Sequence, residues 1–378
     1  MKDKPLKVMH VIEDLESGGA ERVVVELTRG LNAQHFSPMV CCLRKKGALA
    51  AELEQLGIPV FVMNKRSKID LAMLWRLTRL LRSQKIAIVH CHVFTANLWG
   101  RLAALLARVP AIVTHEHSSI SVDRQAVHRL ERLLSRGTDA VITVTEQLAQ
   151  RWRDEIGVSA QNVRTVYNGL DVVHHLTDPA AVRKLRSEFG LQKCGHVIGA
   201  VGRLEWRKNF KLLLEALAIV LHSHPNTTLM IVGAGEEETA LKAHAVELKI
   251  AQNVIFAGYR ADIAEMLGLF SVFCMSSDTE GISLALLEAI TAGVPVVATR
   301  VGGTPEVIRD ESMGTLVPPR NADALAHAVK AVLDHPQAAQ HKAQTARQKV
   351  AEIFTKEKMI REIEMLYREI IRARKWLS

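Results

Sequence analysis

Short runs of apolar residues alternate with longer polar or amphipathic segments along almost the whole chain. The apolar runs are rich in Val and Ile and end at turn-forming or charged residues, which is typical of buried strands in a parallel sheet. The segments between them place apolar residues at helical spacing, as Val24, Leu27 and Leu31 do. This alternation predicts an α/β fold built from βαβ units. The predicted strands, with their exit turns, lie in residues 7–12, 39–43, 59–63, 88–92, 111–118, 140–144, 163–166, 197–202, 228–235, 254–260, 272–277 and 294–299.

The length of 378 residues suits two α/β domains of ordinary size. Apolar residues make up 48% of the chain and charged residues 24%, so the composition allows large cores. The five cysteines are odd in number, lie mostly in strand-like runs and lack zinc spacing, which indicates buried free thiols in a reducing compartment. The first residues lead directly into a strand, and no apolar run approaches the ~20 residues of a membrane span, so we expect a cytoplasmic protein.

The net charge of +9 is concentrated in the first half of the chain. Residues 1–175 contain 24 Lys and Arg against 17 Asp and Glu, a difference of +7, whereas the remainder contains 25 against 23, a difference of +2. This asymmetry favours an anionic partner for the first half, either a bilayer surface or a lipid-linked pyrophosphate. Nucleic acid is not expected as a partner, because only 4% of the residues are aromatic and no nucleic-acid-binding module is recognisable.

Two segments in the first half combine apolar residues at helical spacing with several arginines. They are residues 71–85 and 123–136. Each pattern predicts either a helix that lies on a membrane surface or a packed helix with a solvated basic face. Of the two, segment 123–136 is the better candidate for contact with a membrane.

An acidic turn between predicted strands 272–277 and 294–299 is the most informative stretch of the chain. Ligands of parallel α/β sheets bind beyond the carboxyl ends of the strands, and Glu280 and Gly281 come at such a place. A helix start there offers backbone N–H groups to phosphate, and carboxylates accept hydrogen bonds from sugar hydroxyls. Glu288 lies about two helical turns further on. The alternative interpretation is that Glu280 caps the helix and Glu288 is a surface residue.

Several cations follow predicted strand 197–202 in the second half of the chain. Arg203 and Lys208 are fixed positive charges at a strand exit, which a diphosphate leaving group needs as its negative charge builds up. The alternative is a solvated basic turn, and Arg207 is a second candidate for the same role.

Two strand exits in the first half also carry features that suit a binding site. Gly18 and Gly19 precede a helix and allow close backbone approach, although a tight βα turn needs the same residues. Their pattern departs from Gly-x-Gly-x-x-Gly, which counts against a dinucleotide site. His115 and His117 have the spacing of metal ligands, but the sequence supplies no evident third ligand. No Asp-x-Asp motif follows a predicted strand.

The acidic turn resembles the donor-site signature of the retaining glycosyltransferases of family 4, which have the GT-B fold. The shared pattern is a Glu, seven residues and a second Glu, followed by a strand that begins Gly-Val-Pro-Val-Val. The resemblance spans most of the chain and includes Gly18 with Gly19, His117, the turn at 168–171, and Arg203 with Lys208. It implies two Rossmann-like, doubly wound domains facing across a cleft, namely an acceptor-side domain in residues 1–175 and a donor-binding domain in residues 176–355. A last helix at about 356–378 would pack back on the first domain.

The resemblance also implies a role for each matched residue. Arg203 and Lys208 would stabilise the departing diphosphate, and Glu280 would bind hydroxyls of the donor sugar. His117 would contact the sugar, with His115 as an alternative two residues away. Glu288 would bind the ribose. The other donor-binding residues implied are Gly18 and Gly19 at the diphosphate, the backbone N–H groups of Gly281, Ile282 and Ser283, and Tyr259 and Arg260 beside the nucleobase.

The activity implied is retaining, metal-independent transfer of a sugar from a nucleotide-sugar donor, with no cofactor. A UDP-sugar is the first choice and GDP-mannose the second. The acceptor would be a glycan or a polyprenyl-linked glycan in the synthesis of cell-surface polysaccharide such as lipopolysaccharide. The basic first half predicts peripheral contact with the inner face of the cytoplasmic membrane.

Two other classes of function remain open from the sequence. The first is a sugar-nucleotide epimerase on a similar fold, which needs additional acid/base carboxylates, for which Glu116 is the one candidate in the first half. The second is a non-catalytic subunit that resembles a glycosyltransferase. The presence of all the matched cations and carboxylates argues against the second.

Overall fold

The computed structural model describes residues 4–16, 18–118, 125–171 and 178–375, with the side chain of residue 375 excepted. The chain divides into two compact units. Unit 1 comprises Met1–Gly169 together with Lys356–Ser378, and unit 2 comprises Leu170–Thr355. Each unit contains one parallel sheet with helices, so the predicted α/β fold is confirmed.

Unit 1 contains a sheet of seven parallel strands in the order β3-β2-β1-β4-β5-β6-β7. The order reverses between β1 and β4, as it does in doubly wound sheets. The strands are β1 (Leu6–Ile12), β2 (Phe36–Cys42), β3 (Val60–Val62), β4 (Ile88–His92), β5 (Ala111–Glu116), β6 (Ala140–Thr143) and β7 (Val163–Thr165).

Six helices connect these strands. Apolar residues of the sheet and helices form two large clusters, one that includes Met9, Leu77 and Trp99 and another that includes Val24, Val40 and Leu53. The helices are α1 (Gly19–Gly30), α2 (Ala50–Gln55), α3 (Leu71–Ser83), α4 (Val93–Ala107), α5 (Gln125–Ser135) and α6 (Glu146–Arg151).

Unit 2 contains a sheet of six parallel strands in the order β10-β9-β8-β11-β12-β13, again with a reversal of order, here between β8 and β11. The strands are β8 (His196–Val201), β9 (Thr227–Val232), β10 (Val254–Gly258), β11 (Val272–Met275), β12 (Val296–Thr299) and β13 (Thr315–Val317). The helices are α7 (Pro179–Glu188), α8 (Phe210–Val220), α9 (Glu238–Glu247), α10 (Ile263–Leu267), α11 (Leu284–Thr291), α12 (Thr304–Val307), α13 (Ala322–Asp334) and α14 (Pro336–Ile353).

The last helix, α15 (Lys356–Lys375), belongs to unit 1 although it follows all of unit 2 in the sequence. Its apolar residues Met359, Ile363 and Tyr367 are buried. Tyr367 packs edge-on against Phe36 of β2, with ring centroids 5.6 Å apart. Gly30 of α1 leaves room for the side chain of Ile360, because a Cβ there would lie 2.1 Å from its terminal methyl.

Side-chain caps explain where several helices begin. Asn209, Ser283 and Asn321 each accept a hydrogen bond from a backbone N–H in the first turn of the helix that follows. Asn209 does so with a φ of 46°, a left-handed conformation that Asn adopts more readily than most residues. These caps fix the first turns of α8 and α11, which flank the site described below.

The structure differs from the sequence prediction in a few places. Strand β13 was not predicted from the sequence. Residues 123–124 of the basic segment 123–136, residues 376–378 of the predicted last helix, and residues 172–177, which include the predicted domain boundary, lie outside the described residues. None of the described helices is both long and apolar enough to cross a membrane.

Candidate active site

An ion pair joins the two predicted halves of the donor site in unit 2. The Lys208 ammonium lies 2.6 Å from Oε1 of Glu280, and the two side chains are 20% and 10% exposed, respectively. Lys208 follows strand β8 and Glu280 follows strand β11, and these strands are neighbours in the sheet. The doubly wound topology therefore brings together two residues that the sequence separates by 72 positions.

Two serines at the exit of β11 support this pair. Ser277 Oγ donates a hydrogen bond to the same Oε1 of Glu280 at 2.6 Å. Ser276 Oγ donates to the backbone carbonyl of Lys208 at 2.9 Å. Both the carboxylate and the backbone of the lysine are thus held by the same short stretch of chain.

The loop after β12 packs directly against the acidic turn. Gly302 has a φ of 49°, and a Cβ there would lie 1.8 Å from the backbone oxygen of Glu280. Gly303 donates its N–H to the carbonyl of Gly281 at 3.1 Å. Thr299 Oγ1 donates to the carbonyl of Ser277 at 2.6 Å. The glycine-rich loop is therefore a brace for the acidic turn, and only glycine fits this close approach at position 302.

A second set of contacts ties the loop that carries Lys208 to the exit of β11. Asn209 Nδ2 donates to Oδ1 of Asp278 at 3.0 Å, while the N–H of Asp278 donates to the carbonyl of Arg207 at 2.8 Å. Arg320 pairs with the other carboxylate oxygen of Asp278 at 2.9 Å. Sequence reasoning missed Asp278 because its partners lie far away along the chain.

The remaining cations of this loop have different surroundings. Arg207 is bound to the Glu205 carboxylate, with its Nη2 at 2.7 and 2.9 Å from the two oxygens, so it is already committed to a partner. Arg203 lies at the exit of β8 with an exposed side chain. Of the two arginines considered from the sequence, Arg203 is exposed and Arg207 is half-buried.

Helix α11 begins at Leu284, and its cap is Ser283, whose Oγ accepts from the N–H of Leu286 at 3.3 Å. The alternative interpretation in which Glu280 caps this helix is therefore wrong. Glu288 lies within α11 and is half-buried. Ile282 is buried, and Gly281 is held through its carbonyl by the β12 loop.

Tyr259 and Arg260 follow strand β10. The Tyr259 side chain is 62% exposed. Arg260 donates to both oxygens of Asp262 and lies 2.9 Å from Glu188. The hydrogen bond to Asp262 is the main reason why the pKa of Arg260 is raised. The guanidinium of Arg260 is already bound to the carboxylates of Asp262 and Glu188. Any binding of the nucleobase by this loop would therefore use its backbone groups.

In unit 1, the two glycines of the first predicted motif lie at the start of α1. Gly18 is the N-cap residue, with an extended φ of −159°, and Gly19 is the first helical residue. A Cβ on Gly19 would meet no heavy atom of the described residues within 4 Å. The space beside Gly19 is therefore open within unit 1, whereas the space beside Gly302 in unit 2 is filled by the acidic turn.

His117 follows β5 and belongs to a buried cluster of imidazoles. Its Nε2 lies 3.2 Å from Nδ1 of His92, whose Nε2 lies 3.1 Å from Nδ1 of His10. Burial lowers the pKa of His10 and of His117 to about 3, so both rings are neutral at physiological pH. His117 is 8% exposed and His115 is fully buried, which makes His117 the more accessible of the two alternatives.

Glu116, the carboxylate considered for an epimerase, is buried and accepts a hydrogen bond from Asn97 Nδ2. Sequence reasoning singled out His115 and His117 but not the histidines of β1 and β4, His10, His90 and His92, that lie beside them. The available signal was the rule that the carboxyl ends of neighbouring parallel strands meet at one edge of the sheet. Applied to β1, β4 and β5, that rule predicts this convergence.

Comparison with known proteins identifies the family. Residues 17–174 match the model "Glycosyltransferase Family 4", and residues 182–349 match "Glycosyl transferases group 1". The two matched stretches correspond to most of unit 1 and unit 2 and together cover most of the chain.

Two relatives and one solved structure illustrate the similarity. The UDP-Gal:alpha-D-GlcNAc-diphosphoundecaprenol alpha-1,3-galactosyltransferase of Escherichia coli is 26% identical over 381 residues, 97% of this chain and 97% of that protein. The GDP-mannose-dependent alpha-(1-6)-phosphatidylinositol monomannoside mannosyltransferase of Mycolicibacterium smegmatis is 32% identical over 239 residues, 60% of this chain and 61% of that protein. The crystal structure of Anabaena Alr3699/HepE in complex with UDP and glucose superposes with a TM-score of 0.86 and 23% identity, covering 95% of this chain and 98% of that one. The chain therefore belongs to the glycosyltransferases of family 4, which have the GT-B fold.

Proposed function

We propose that this glycosyltransferase moves a sugar from a UDP-sugar to a lipid-linked or other glycan acceptor, with retention of the anomeric configuration and without a metal ion in the transfer step. The observation that carries the proposal is the Lys208–Glu280 pair at the exits of β8 and β11. A cation and a carboxylate in contact there match the two needs of a nucleotide-sugar donor, which has an anionic diphosphate beside a sugar with several hydroxyls.

The pair suggests how the donor is held. Both observed contacts of Glu280, from Lys208 and from Ser277, use Oε1. We assign the other oxygen, Oε2, to the hydroxyls of the donor sugar. The Lys208 ammonium would then lie between this carboxylate and the diphosphate, with Arg203 as the second cation. Backbone N–H groups of Gly281, Ile282 and Ser283 would add to the binding, and Glu288 would take the ribose.

These cations would act mainly on the transition state. As the bond from the sugar to the diphosphate breaks, negative charge grows on the leaving oxygen, and Lys208 and Arg203 stabilise it. The leaving phosphate oxygen would accept the proton of the attacking hydroxyl on the same face of the sugar, so that the anomeric configuration is retained. This route assigns charge neutralisation to side chains and needs no protein nucleophile. His117 would contact the sugar from unit 1.

The choice of UDP follows the relatives. The Escherichia coli protein is named for UDP-Gal, and the Anabaena structure contains UDP. The mannosyltransferase relative, named for GDP-mannose, keeps GDP as the second choice. The name of the Escherichia coli protein also includes a diphosphoundecaprenol-linked sugar, which supports a lipid-linked acceptor for this chain.

A lipid-linked acceptor implies contact with a membrane, and helix α3 is the surface that suits it best. Ile69 is 76% exposed, Leu71 69% and Trp75 61%, and these residues lie just before α3 or in its first turns. Arg79 lies over the Trp75 ring at 5.4 Å. The helix contains three arginines and no acidic residue. Exposed apolar side chains beside basic ones are what a helix at an anionic bilayer surface presents.

Helix α5, which the sequence favoured for this role, presents fewer exposed apolar side chains. Leu133 is the one large apolar residue of α5 that is exposed, and Glu131 of this helix forms a buried ion pair with Arg101. We therefore place the membrane contact of the proposal on α3 and the residues that precede it.

Liposome binding tests this placement. The wild-type chain should sediment with vesicles that contain phosphatidylglycerol and not with phosphatidylcholine vesicles, and binding should weaken as salt rises. Trp75→Ala should reduce the bound fraction several-fold, whereas Trp206→Ala, which changes an exposed tryptophan of unit 2, should not. Equal losses for both variants, or no binding to either vesicle at any salt concentration, would contradict a surface on α3.

Thermal melting with nucleotides tests the donor site. UDP or a UDP-sugar should raise the midpoint by mass action, and the shift should persist in EDTA. Lys208→Ala should lose the shift. If GDP alone stabilises the chain, the donor choice is wrong although the site remains. If no nucleotide stabilises it, the non-catalytic alternative takes precedence.

A reaction assay separates the remaining alternative. The chain is incubated with the stabilising nucleotide sugar with and without a polyprenyl-diphosphate-linked sugar as acceptor. A transferase should release the nucleotide at least ten times faster with the acceptor, and product NMR should show the anomeric configuration of the donor. A changed sugar recovered still attached to the nucleotide, without acceptor, would instead indicate an epimerase.

A further inference from the structure

Five buried histidines gather on one face of the sheet of unit 1. Strands β1, β4 and β5 are neighbours, and the register places His10 beside His90 and His92 beside His115. Side chains two residues apart on a strand share a face, so the rings of His90 and His92 lie on the same face of the sheet. The ring of His117, which follows β5, joins this group through its contact with His92. The histidines are His10, His90, His92, His115 and His117, which we call the imidazole cluster.

Several ring nitrogens of the imidazole cluster have no hydrogen-bond partner among the described residues. They are Nε2 of His10, Nε2 of His90, both nitrogens of His115, and Nδ1 of His117. A buried polar atom without a partner is destabilising, because it has lost its hydrogen bonds to water. Of these atoms, Nε2 of His90 is the one that could bind an ion shared with His10 and His92, since a metal ion accepts a lone pair from a neutral imidazole.

Three of these rings have the separation that a metal site needs. Single ring nitrogens of His10, His90 and His92 all lie within 4.8 Å of one another. Nδ1 of His10 and Nε2 of His92 form a hydrogen bond at 3.1 Å, which an ion bound by both nitrogens would replace. Two imidazole nitrogens on one tetrahedral zinc ion, each at 2.0–2.1 Å, are about 3.3 Å apart. The His90 nitrogen lies within 4.8 Å of the nitrogens of the other two rings, so the His90 ring would have to move inward to bind the same ion.

The outer nitrogens of two of these rings have partners that would orient them. Nδ1 of His90 lies 2.5 Å from the hydroxyl of Tyr367 in α15. Nδ1 of His92 lies 3.2 Å from Nε2 of His117. Partners of this kind fix the tautomer of a metal-bound histidine and leave the inner nitrogen free to bind. A second trio, His92, His115 and His117, also lies within 4.8 Å, but both nitrogens of its His115 lack such a partner.

We propose that His10, His90 and His92 bind one divalent first-row transition metal ion of the zinc type, with Tyr367 and His117 as its outer contacts. Nitrogen ligands favour Zn²⁺ or Co²⁺ over Mg²⁺ or Ca²⁺, which prefer oxygen. Its ligands come from two strands of unit 1, β1 and β4, and Tyr367 connects the site to the last helix. When Nε2 of His92 binds the ion, the proton of His92 lies on Nδ1 and is donated to Nε2 of His117. The proton of His117 then lies on its own Nδ1.

This site is separate in its role from the proposed transfer chemistry, where Lys208 and Arg203 neutralise the charge. Its test uses no nucleotide and no acceptor, so failure of the proposed function and failure of the metal site are distinguishable. A chelator should lower the stability of the chain while leaving the nucleotide-induced shift in place.

The experiment is a Co²⁺ titration of the untagged, chelator-stripped, full-length chain, followed by visible absorption. One equivalent should produce intense d–d bands typical of tetrahedral Co²⁺, and one equivalent of Zn²⁺ should abolish them. Elemental analysis after gel filtration should give one ion per chain. Absence of such bands, or of any retained ion, would overturn the proposal.

Variants locate the ion. His90→Gln should weaken Co²⁺ binding by at least 100-fold, and Tyr367→Phe should weaken it by about 10–100-fold, the range typical of outer contacts. His35→Gln, at an exposed position of unit 1, is the matched control and should change nothing. Circular dichroism in chelator confirms that each variant folds. If His115→Gln abolishes binding while His90→Gln retains it, the assignment to these three ligands is wrong.

Discussion

Units 1 and 2 share the same parallel architecture but satisfy their buried polar groups in different ways. In unit 2, Lys208 and Glu280 meet at two neighbouring strand exits, and each charge has the other as its partner. In unit 1, the equivalent edge of the sheet holds the imidazole cluster, whose rings are neutral and partly without partners. An ionised side chain in a low-dielectric interior needs a partner of opposite charge, because the isolated charge would be strongly destabilising. A neutral imidazole tolerates burial and keeps a lone pair for a ligand.

The difference teaches what each unit is prepared to bind. The charged pair of unit 2 can exchange contacts with a ligand that is both anionic and rich in hydroxyls. The imidazole cluster of unit 1 carries no charge with which to bind an anion. Its lone pairs suit a ligand that accepts electron pairs.

The largest effect is expected when the cation of unit 2 is removed. Lys208→Ala should reduce transfer by about 10²–10³-fold, or about 3–4 kcal/mol, because the departing diphosphate loses a preorganised positive charge. The measurement is kcat/KM for nucleotide release in the presence of acceptor.

Lys211→Ala is the control for that variant, since Lys211 is exposed on the helix that follows. It should leave kcat/KM within about twofold of wild type, as exposed single charges contribute little. Equal losses in both variants would mean that net charge, and not the pair with Glu280, is responsible.

A smaller loss should follow if the brace of the acidic turn is disturbed. Gly302→Ala places a methyl group 1.8 Å from the backbone oxygen of Glu280, at a residue with a φ of 49°. We expect a loss of roughly 1–3 kcal/mol in the free energy of unfolding, together with weaker UDP binding, because the turn must move. Urea unfolding and calorimetric titration measure the two quantities.

Gly293→Ala separates backbone strain from the clash. Gly293 has a φ of 76°, but a Cβ there would meet nothing within 4 Å. It should lose only the strain component, about 1 kcal/mol, and should keep the affinity for UDP. The explanation by close approach fails if Gly293→Ala weakens UDP binding as much as Gly302→Ala does.

Helix caps give a matched pair across the two units. Ser283 caps α11 in unit 2, and Thr145 caps α6 in unit 1. Replacing either residue by Ala should cost about 1 kcal/mol of stability. Only Ser283→Ala should also weaken UDP binding. Loss of the cap loosens the start of α11, and the backbone N–H groups there belong to the proposed donor site. Similar UDP affinity in both variants would place the donor elsewhere.

The smallest perturbation is chemical labelling of the cysteines. Burial raises the pKa of Cys42 in unit 1 to about 12, so almost none of it is thiolate at pH 8. Cys194 in unit 2 is only half-buried. Iodoacetamide should therefore modify Cys194 well before Cys42, as peptide mass analysis would show. Faster labelling of Cys42 would indicate that β2 opens readily.

Much of the fold could be predicted from the sequence because its signals are local. Apolar runs with turn residues at their ends indicated all of the strands except β13. That Lys208 and Glu280 belong to one site was implied only by the family resemblance, and their ion pair was not predicted. Its physical basis is that β8 and β11 are neighbours, and that is a property of the topology and not of any local pattern.

The polar partners were harder to predict because they depend on distant residues. Asp278 meets Asn209 and Arg320, and His90 meets Tyr367 at 277 positions along the chain. A sequence without an alignment carries no signal for such pairs. The capping of α11 by Ser283 is local, yet Glu280 competed for it because acidic residues are also common near helix starts.

The position of α15 has a consequence for how the protein is made. Unit 2 is a continuous segment, Leu170–Thr355, and all of its strands have left the ribosome before the chain ends. Unit 1 lacks helix α15 until residues 356–375 have been made, although most of the unit is translated first. Nascent unit 1 therefore leaves exposed the apolar surface that Met359, Ile363 and Tyr367 later cover. A stop codon within or before α15 would damage the unit that was translated first.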